Sequence, residues 1–292
     1  MHKKQTIIIT GGNGFLGSYI AAAAVKLGYF VKVIDVTPPL ENNENIESIV
    51  GSILDKGVLN RSISKGDIVF HLAGISDIDE CLLDPVKCVT YNVLGTTKLL
   101  QVCVEKRIAK FIFASSMYAG GNHGGFYSST KKTCEMIIKD FHNFFNLKYS
   151  LLRFGTIYGL GAPETNSIEK FLTEALDSNQ INYTGDGTEI REYIHVEDAA
   201  DLSLAAIRSS QDNKTLAITG SYKTRTSDLF NIIRELMGGD LKINFKTNIT
   251  EGRTESHYKV CPYTYTKDRV FKLTKNTNRE LNDALLEILE DK

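Results

Sequence analysis

Short runs of β-branched and other apolar residues alternate along this chain with longer segments whose apolar positions recur every three or four residues. Thr6 to Thr10, Phe30 to Asp35, Ile46 to Val50, Asp67 to Gly74 and Lys110 to Ala114 read as buried strands. Their near-continuous apolar character is what a parallel strand covered on both faces requires. Between them, Phe15 to Gly28 and Asp84 to Arg107 read as helices, and Tyr127 opens another. The run Ala21 to Ala24 suits close packing on a sheet, Gly28 a C-terminal cap, and Asp55 the N-cap of a short helix. Strand and helix alternating in this way predict an α/β fold built on a doubly wound parallel sheet.

Past residue 160 the pattern fits a second, smaller lobe. Ser167 to Asp177 reads as an amphipathic helix, Ile181 to Thr184 as a short strand, and Tyr193 to Arg208 as a return to the large sheet. Leu216 to Gly220 reads as a further strand. Thr226 to Leu229 is expected to cap a helix that Gly238-Gly239 stops. Leu241 to Phe245 alternates as a strand, and Asn278 to Leu289 closes the chain as a helix. The expected division is 1–160 with 188–222 for the larger domain and 161–187 with 223–292 for the smaller, α/β one.

Composition narrows the partners. With 34 basic against 35 acidic residues in 292, the net charge of -1 offers no footprint for nucleic acid or an anionic membrane. No apolar stretch is as long as a membrane span or a signal-peptide core, which predicts a cytoplasmic protein. Cysteines at 81, 88, 103, 134 and 261 form no C-x-x-C and no Cys/His cluster, so reduced thiols are expected and no metal site.

Candidate chemistry begins at Gly11, Gly14 and Gly17, spaced G-x-x-G-x-x-G between the first strand and the first helix. Gly11 permits the turn, Gly14 lets backbone approach a pyrophosphate, and Gly17 lets the helix lie on the strand. The second strand ends at Asp35, whose carboxylate can accept both adenosine ribose hydroxyls and repel a 2′-phosphate. The arrangement is of Rossmann type, and Asp35 favours NAD over NADP. His71 alone reads as a packed or capping histidine.

The fifth strand delivers Ser115-Ser116, and Tyr127 with Lys131 follows at i and i+4, on one helix face. Bringing a tyrosine from ~10 to near 7 takes about 4 kcal/mol, at roughly 1.4 per unit. A cation ~4 Å away supplies on the order of 4 kcal/mol at an effective dielectric of ~20. Lys131, helped by an oxidised nicotinamide ring, is expected to make Tyr127 a base, with Ser116 holding a substrate hydroxyl in line. Tyr263 with Lys267 repeats the spacing without that context and reads as accidental.

From Thr10 to about Ala200 the chain resembles the extended short-chain dehydrogenase/reductase family, in particular its NAD-dependent nucleotide-sugar epimerases and dehydratases. The motifs that carry this are Thr10 to Gly17, His71 to Gly74, Asn92 to Thr96, Ser115-Ser116, Tyr127 with Lys131, Leu152 to Gly159, and Gly185 to Asp198. The resemblance implies a tightly held NAD that takes hydride from a sugar carbon, usually C4, while Tyr127 takes the hydroxyl proton. It implies cofactor contacts at Gly11, Gly14, Phe15, Leu16, Gly17, Asp35, Ser52, Ile53, Leu72, Ala73, Gly74, Asn92, Ser115, Tyr127 and Lys131. For a nucleotide-diphosphate sugar it implies Ser76, Ser116 and Thr156, with Arg191 and Arg253 on the diphosphate, where a bidentate guanidinium fits.

Departures from the family pattern narrow the reaction. Met117-Tyr118 follows Ser116 where the 4,6-dehydratases carry an Asp-Glu pair, and the glutamate that sugar-acid decarboxylases need is absent from this region. The loop from Ser116 to Tyr127 is short and rich in glycine. Thr156 and Ser52 stand where many relatives have asparagine and aspartate. The reading that results is a nucleotide-sugar 4-epimerase. The alternatives are a net 4-dehydrogenase or ketosugar reductase, and a non-catalytic dinucleotide sensor, which would not need Ser116, Tyr127 and Lys131 together. A homodimer is expected through helices at Pro85–Glu105 and Ser128–Phe145.

Overall fold

The computed structural model describes residues 5–39, 43–246, 257–260 and 269–292. Eight parallel strands form one sheet: β1 (Thr6–Thr10), β2 (Phe30–Asp35), β3 (Ile46–Val50), β4 (Ile68–His71), β5 (Lys110–Ser116), β6 (Tyr149–Phe154), β11 (Lys214–Ile218) and β14 (Val270–Lys272). Their order across the sheet is β14-β11-β6-β5-β4-β1-β2-β3, so the winding reverses between β1 and β4. A crevice opens at the carboxyl ends of strands at such a reversal.

Period-two alternation decides what covers each face. Ile7 and Ile9 of β1 pack with α1 (Phe15–Lys26) and α8 (Val196–Ala205). Ile8 points the other way, toward Leu59 of α2 (Lys56–Ser62), Leu99 and Cys103 of α5 (Thr96–Lys106), and Cys134 of α6 (Gly125–Phe145). Buried Ala21 and Ala24 of α1 meet buried Ala199 and Ala200 of α8 in one cluster, which explains the alanine run. Gly28, at a φ of 85°, closes α1, and the Tyr29 N–H returns to the Ala24 carbonyl. Asp55 caps α2, accepting from the Gly57 and Val58 N–H groups.

The helix expected over Asp84 to Arg107 is interrupted. After α3 (Ile78–Leu83) and α4 (Pro85–Val89), residues Thr90–Gly95 form a π turn before α5. Two contacts account for it: Asn92 reaches out of the helix to Ile75, and a Cβ on Gly95 would lie 2.5 Å from Ile53 Cδ1.

The smaller lobe has its own core of Ile168, Leu172, Ile181, Phe230, Ile233 and Leu285. It is built from α7 (Ser167–Ser178), β8 (Gln180–Thr184), α9 (Thr226–Leu236), β13 (Lys242–Lys246) and α10 (Leu281–Glu290), with β8 and β13 paired in parallel. Three expectations are corrected here. β14, from the stretch assigned to the smaller lobe, pairs with β11 and widens the large sheet instead. β10 (Tyr193–His195) pairs with β7 (Thr156–Tyr158) in its own two-stranded ladder before α8 returns to the sheet. Thr226 is the first residue of α9, not its cap, because its N–H and hydroxyl both go to the Glu189 carbonyl. Among the described residues no helix is long and apolar enough to cross a membrane, and no His, Cys, Asp or Glu cluster could hold a metal.

Candidate active site

The glycine loop lies at the carboxyl end of β1. A Cβ on Gly11 (φ 73°) would sit 2.6 Å from the Ala73 nitrogen, and one on Gly17 only 2.2 Å from the Gly11 carbonyl oxygen. Those two glycines seat α1 on the sheet. Gly14 is exposed and would meet only the Gly11 oxygen at 3.4 Å, so the space above it and the α1 N-terminus stays open. Phe15 and Leu16 follow, half-buried. The Asp35 carboxylate is held over the loop by the N–H groups of Asn13 and Thr37, each at 3.0 Å. A free helix N-terminus beside an oriented carboxylate suits a pyrophosphate with an adjoining ribose, so these residues fit a dinucleotide.

The loops after β3 and β4 form the opposite wall. Ser52 Oγ accepts the Leu54 N–H at 3.1 Å, and Ile53 is buried against Gly95. The N–H groups of Leu72 and Ala73 both reach the Thr10 carbonyl at 2.9 Å, while Gly74 and Ser76 are exposed at the rim. Asn92 does not point into the crevice. Its Oδ1 accepts the Ile75 N–H at 2.7 Å, and its Nδ2 donates to the Ile75 carbonyl and Thr130 Oγ1. Its side chain therefore fixes the β4 exit loop. His71 beneath is packed, between Thr10 Oγ1 at 2.7 Å and Thr96 Oγ1 at 2.8 Å. Burial first, then the Lys131 charge, lowers its pKa to about 3.

β5 and α6 bring Ser116, Tyr127 and Lys131 together, all nearly buried. Burial pushes Tyr127 up to about 12, against a hydrogen bond from Ser116 that pulls it down. Among the chain's own groups, then, burial outweighs what lowers the phenol. The Lys131 Nζ donates to the Ala114 carbonyl at 2.9 Å and stands 5.8 Å from the Tyr127 ring centre. Burial lowers the Lys131 pKa. Ser115, expected at the cofactor, has its hydroxyl committed to Glu135 Oε1 at 2.6 Å. Glu135 also takes the Arg153 guanidinium in a bidentate pair, Nε at 2.9 Å and Nη2 at 2.6 Å. Tyr127, Lys131 and Glu135 stand at i, i+4 and i+8 on α6, a spacing that marks the buried stripe in the sequence.

Tyr118 is a neighbour of Tyr127 that the sequence did not single out. It sits in the 3₁₀ turn Met117–Gly120, edge-on to Tyr127 with ring centres 6.2 Å apart. Its hydroxyl lies 2.6 Å from His257 Nδ1, and its ring is 4.7 Å from that of Tyr258. Arg191 also lies over Tyr258, its guanidinium carbon 4.5 Å from the ring centre. A cleft of about 440 Å³ opens here between the glycine-rich loop at Gly120-Gly121 and Tyr258 and Lys259. Thr156 begins β7, half-buried and paired in register with Tyr193. Arg253, and the pair Tyr263 and Lys267, lie outside the described residues.

A crevice at a sheet reversal, lined by an open glycine loop, an oriented Asp35 and a Ser–Tyr–Lys set, defines a dinucleotide-dependent enzyme working on an alcohol or ketone. The sequence matches the NAD dependent epimerase/dehydratase family over residues 7–219, and the chain belongs to that family. Among curated relatives, a UDP-N-acetyl-alpha-D-glucosaminuronate decarboxylase of Bacillus cytotoxicus is 28% identical over 266 residues, 82% of this chain and 83% of its own. A UDP-glucose 4-epimerase of Neisseria meningitidis serogroup C is 25% identical over 276 residues, 79% of this chain and 81% of its own. The fold is similar to that of a UDP-glucuronic acid 4-epimerase of Bacillus cereus, solved with UDP-glucuronic acid and NAD. The TM-score is 0.82 at 23% identity, covering 98% of this chain and 99% of that one.

Proposed function

We propose that this protein is an NAD-dependent 4-epimerase of a UDP-sugar. The observation that carries the reading is the Ser116–Tyr127 hydrogen bond at the carboxyl end of β5, with Lys131 buried beside it and the open glycine loop across the crevice. NAD, which the glycine loop and Asp35 would hold, would supply the hydride acceptor and donor for C4 and a positive ring charge. Tyr127 Oη removes the proton from the 4-hydroxyl, and Ser116 holds that hydroxyl in line. After the keto sugar turns over, the hydride returns to the other face of C4 and Tyr127 gives its proton back to the 4-oxygen. Arg191, held over the Tyr258 ring, suits the diphosphate and leaves the sugar to reach back past Tyr118 to Tyr127.

The UDP-sugar names of the relatives support the nucleotide. Met117-Tyr118 after Ser116 supports epimerisation over dehydration, since no carboxylic acid stands there to expel water. The larger domain, 1–160 with 188–222, is assigned to NAD and the smaller lobe to the nucleotide sugar. The four described cysteines are free and buried, which suits the reducing cytoplasm. A homodimer is supported by exposed apolar side chains on the outer faces of α4 and α6, among them Val86, Val89, Met136 and Phe144. Twice the 32.5 kDa chain mass in sedimentation at micromolar concentration would bear it out, and a monomer would refute it.

The decisive experiment incubates the NAD-loaded enzyme with UDP-glucose, UDP-N-acetylglucosamine and UDP-glucuronic acid and follows the sugar by proton NMR. A C4 epimer formed without net NADH supports the reading. Stoichiometric NADH with a keto sugar would replace it with a net dehydrogenase.

A further inference from the structure

Two thiols touch beside the catalytic tyrosine. Cys81 in α3 and Cys88 in α4 hold their Sγ atoms 2.6 Å apart, both completely buried. The two sulfurs are thus close enough for a disulfide to form between them. The two residues are seven positions apart, and the chain turns between their helices at Asp84-Pro85. With Ile75 and Tyr127 they form one apolar cluster, and Cys88 Sγ also receives the Asn92 amide at 3.5 Å. The pair thus adjoins the proton-transfer residue and the side chain that fixes the β4 exit loop.

We propose that Cys81 and Cys88 are a redox modification site, closed to a disulfide by peroxide and needed in the reduced form for full turnover. One thiolate attacks the O–O bond of hydrogen peroxide, giving a sulfenic acid and one water. The second thiol attacks that sulfur and expels the second water. Two S–H bonds are lost, one S–S bond forms, and the two electrons reduce the peroxide. Burial pushes the Cys81 thiol up, which keeps the closed pair unreactive. Reaction therefore waits on opening of α3, a six-residue helix whose outer side shows Leu82 and Leu83 to solvent. Once one sulfur is oxidised, the other stands already in place to resolve it. The bond draws α3 onto α4 and takes Cys88 Sγ from the Asn92 amide, which loosens the wall behind Tyr127.

The experiment treats the NAD-loaded protein with stoichiometric hydrogen peroxide, alkylates it after denaturation and digests it with trypsin. Cleavage at Lys87 separates the two cysteines, so a disulfide appears as a linked peptide pair two hydrogens lighter than the separate peptides. The expected result is that link, with a loss of turnover that dithiothreitol restores. Cys81→Ala, folded by circular dichroism, should show neither the link nor the loss. Separate alkylated peptides, or links through Cys103 or Cys134 instead, would overturn the site. A clean link with unchanged turnover would overturn its coupling to Tyr127. The peptide readout needs no substrate, so it stands apart from the epimerase reading on which the turnover readout rests.

Discussion

Lys131 donates its Nζ to the carbonyl of Ala114 at 2.9 Å, two residues before Ser116 on β5. The contact ties α6 to the strand end that carries Ser116. It also decides the electrostatics. Moving Tyr127 from about 12 to a working value near 7 takes about 7 kcal/mol at roughly 1.4 per unit. One cation ~4 Å away supplies about 4 at an effective dielectric of ~20. Even at that distance Lys131 alone would leave about 3 kcal/mol to be found. A second positive charge is needed, and this is the physical reason for a base of this kind to work beside an oxidised nicotinamide.

Tyr127→Phe removes the phenolic oxygen and keeps the ring against Ile75, Cys81 and Tyr118. Turnover should fall by about 10²–10⁴-fold, the usual worth of a positioned acid–base group. NAD content, measured after denaturation, should match the parent protein. Turnover at the parent rate would show that another group moves the proton.

Asp35→Asn removes the charge proposed to face the ribose; its single oxygen can accept from only one of the Asn13 and Thr37 N–H groups, which now donate to separate carboxylate oxygens. Calorimetric titration should show weaker NAD binding and a narrower preference for NAD over NADP, because a 2′-phosphate no longer meets a carboxylate. An unchanged preference would place the ribose elsewhere.

The parts legible in the sequence are those whose meaning is local. Gly11 to Gly17, Asp35 and the Ser116, Tyr127, Lys131 order follow from strand, turn and helix read in succession. What stayed hidden is paired across long separations. Nothing near Ser115 announces Glu135, and nothing near Glu135 announces Arg153, 18 residues on. Tyr118 meets His257 at a separation of 139 residues, so its place beside Tyr127 emerges only on folding. The π turn at Thr90–Gly95 was masked by a helix-compatible pattern, since its cause is the packing of Asn92 and Gly95. The three-residue strand β14 is too short for any periodicity to show.

Glu135 and Arg153 form the most buried ion pair described, with side chains 4% and 2% exposed. Glu135→Ala leaves a guanidinium in the core and removes the acceptor for Ser115. Such a break costs about 3–5 kcal/mol. Urea unfolding should show this as a lower midpoint with the same slope. Replacing both residues by methionine should recover much of the loss, because no buried charge is then left without its partner.

His71 gives a pH dependence of definite sign. Thr96 donates its hydroxyl proton to the Asn92 carbonyl, so its oxygen accepts from His71 Nε2–H, and His71 Nδ1 accepts from Thr10. The imidazole is thus held neutral, with a folded pKa of about 3 against 6.5 when unfolded. Above 6.5 neither state carries the proton. As pH falls through 6.5 the unfolded chain takes one and the folded chain does not, so stability declines by about 1.4 kcal/mol per unit until about 3. Between pH 7 and 4.5 that amounts to about 3 kcal/mol. His71→Gln still has an N–H for Thr96 but cannot titrate, so its urea-unfolding free energy should lack this part of the decline. Carboxylates contribute equally to both proteins and cancel in the difference. A parent-minus-variant stability that stays constant from pH 7 to 4.5 would mean that His71 takes its proton inside the folded core, and that the Thr10–His71–Thr96 link opens to allow it.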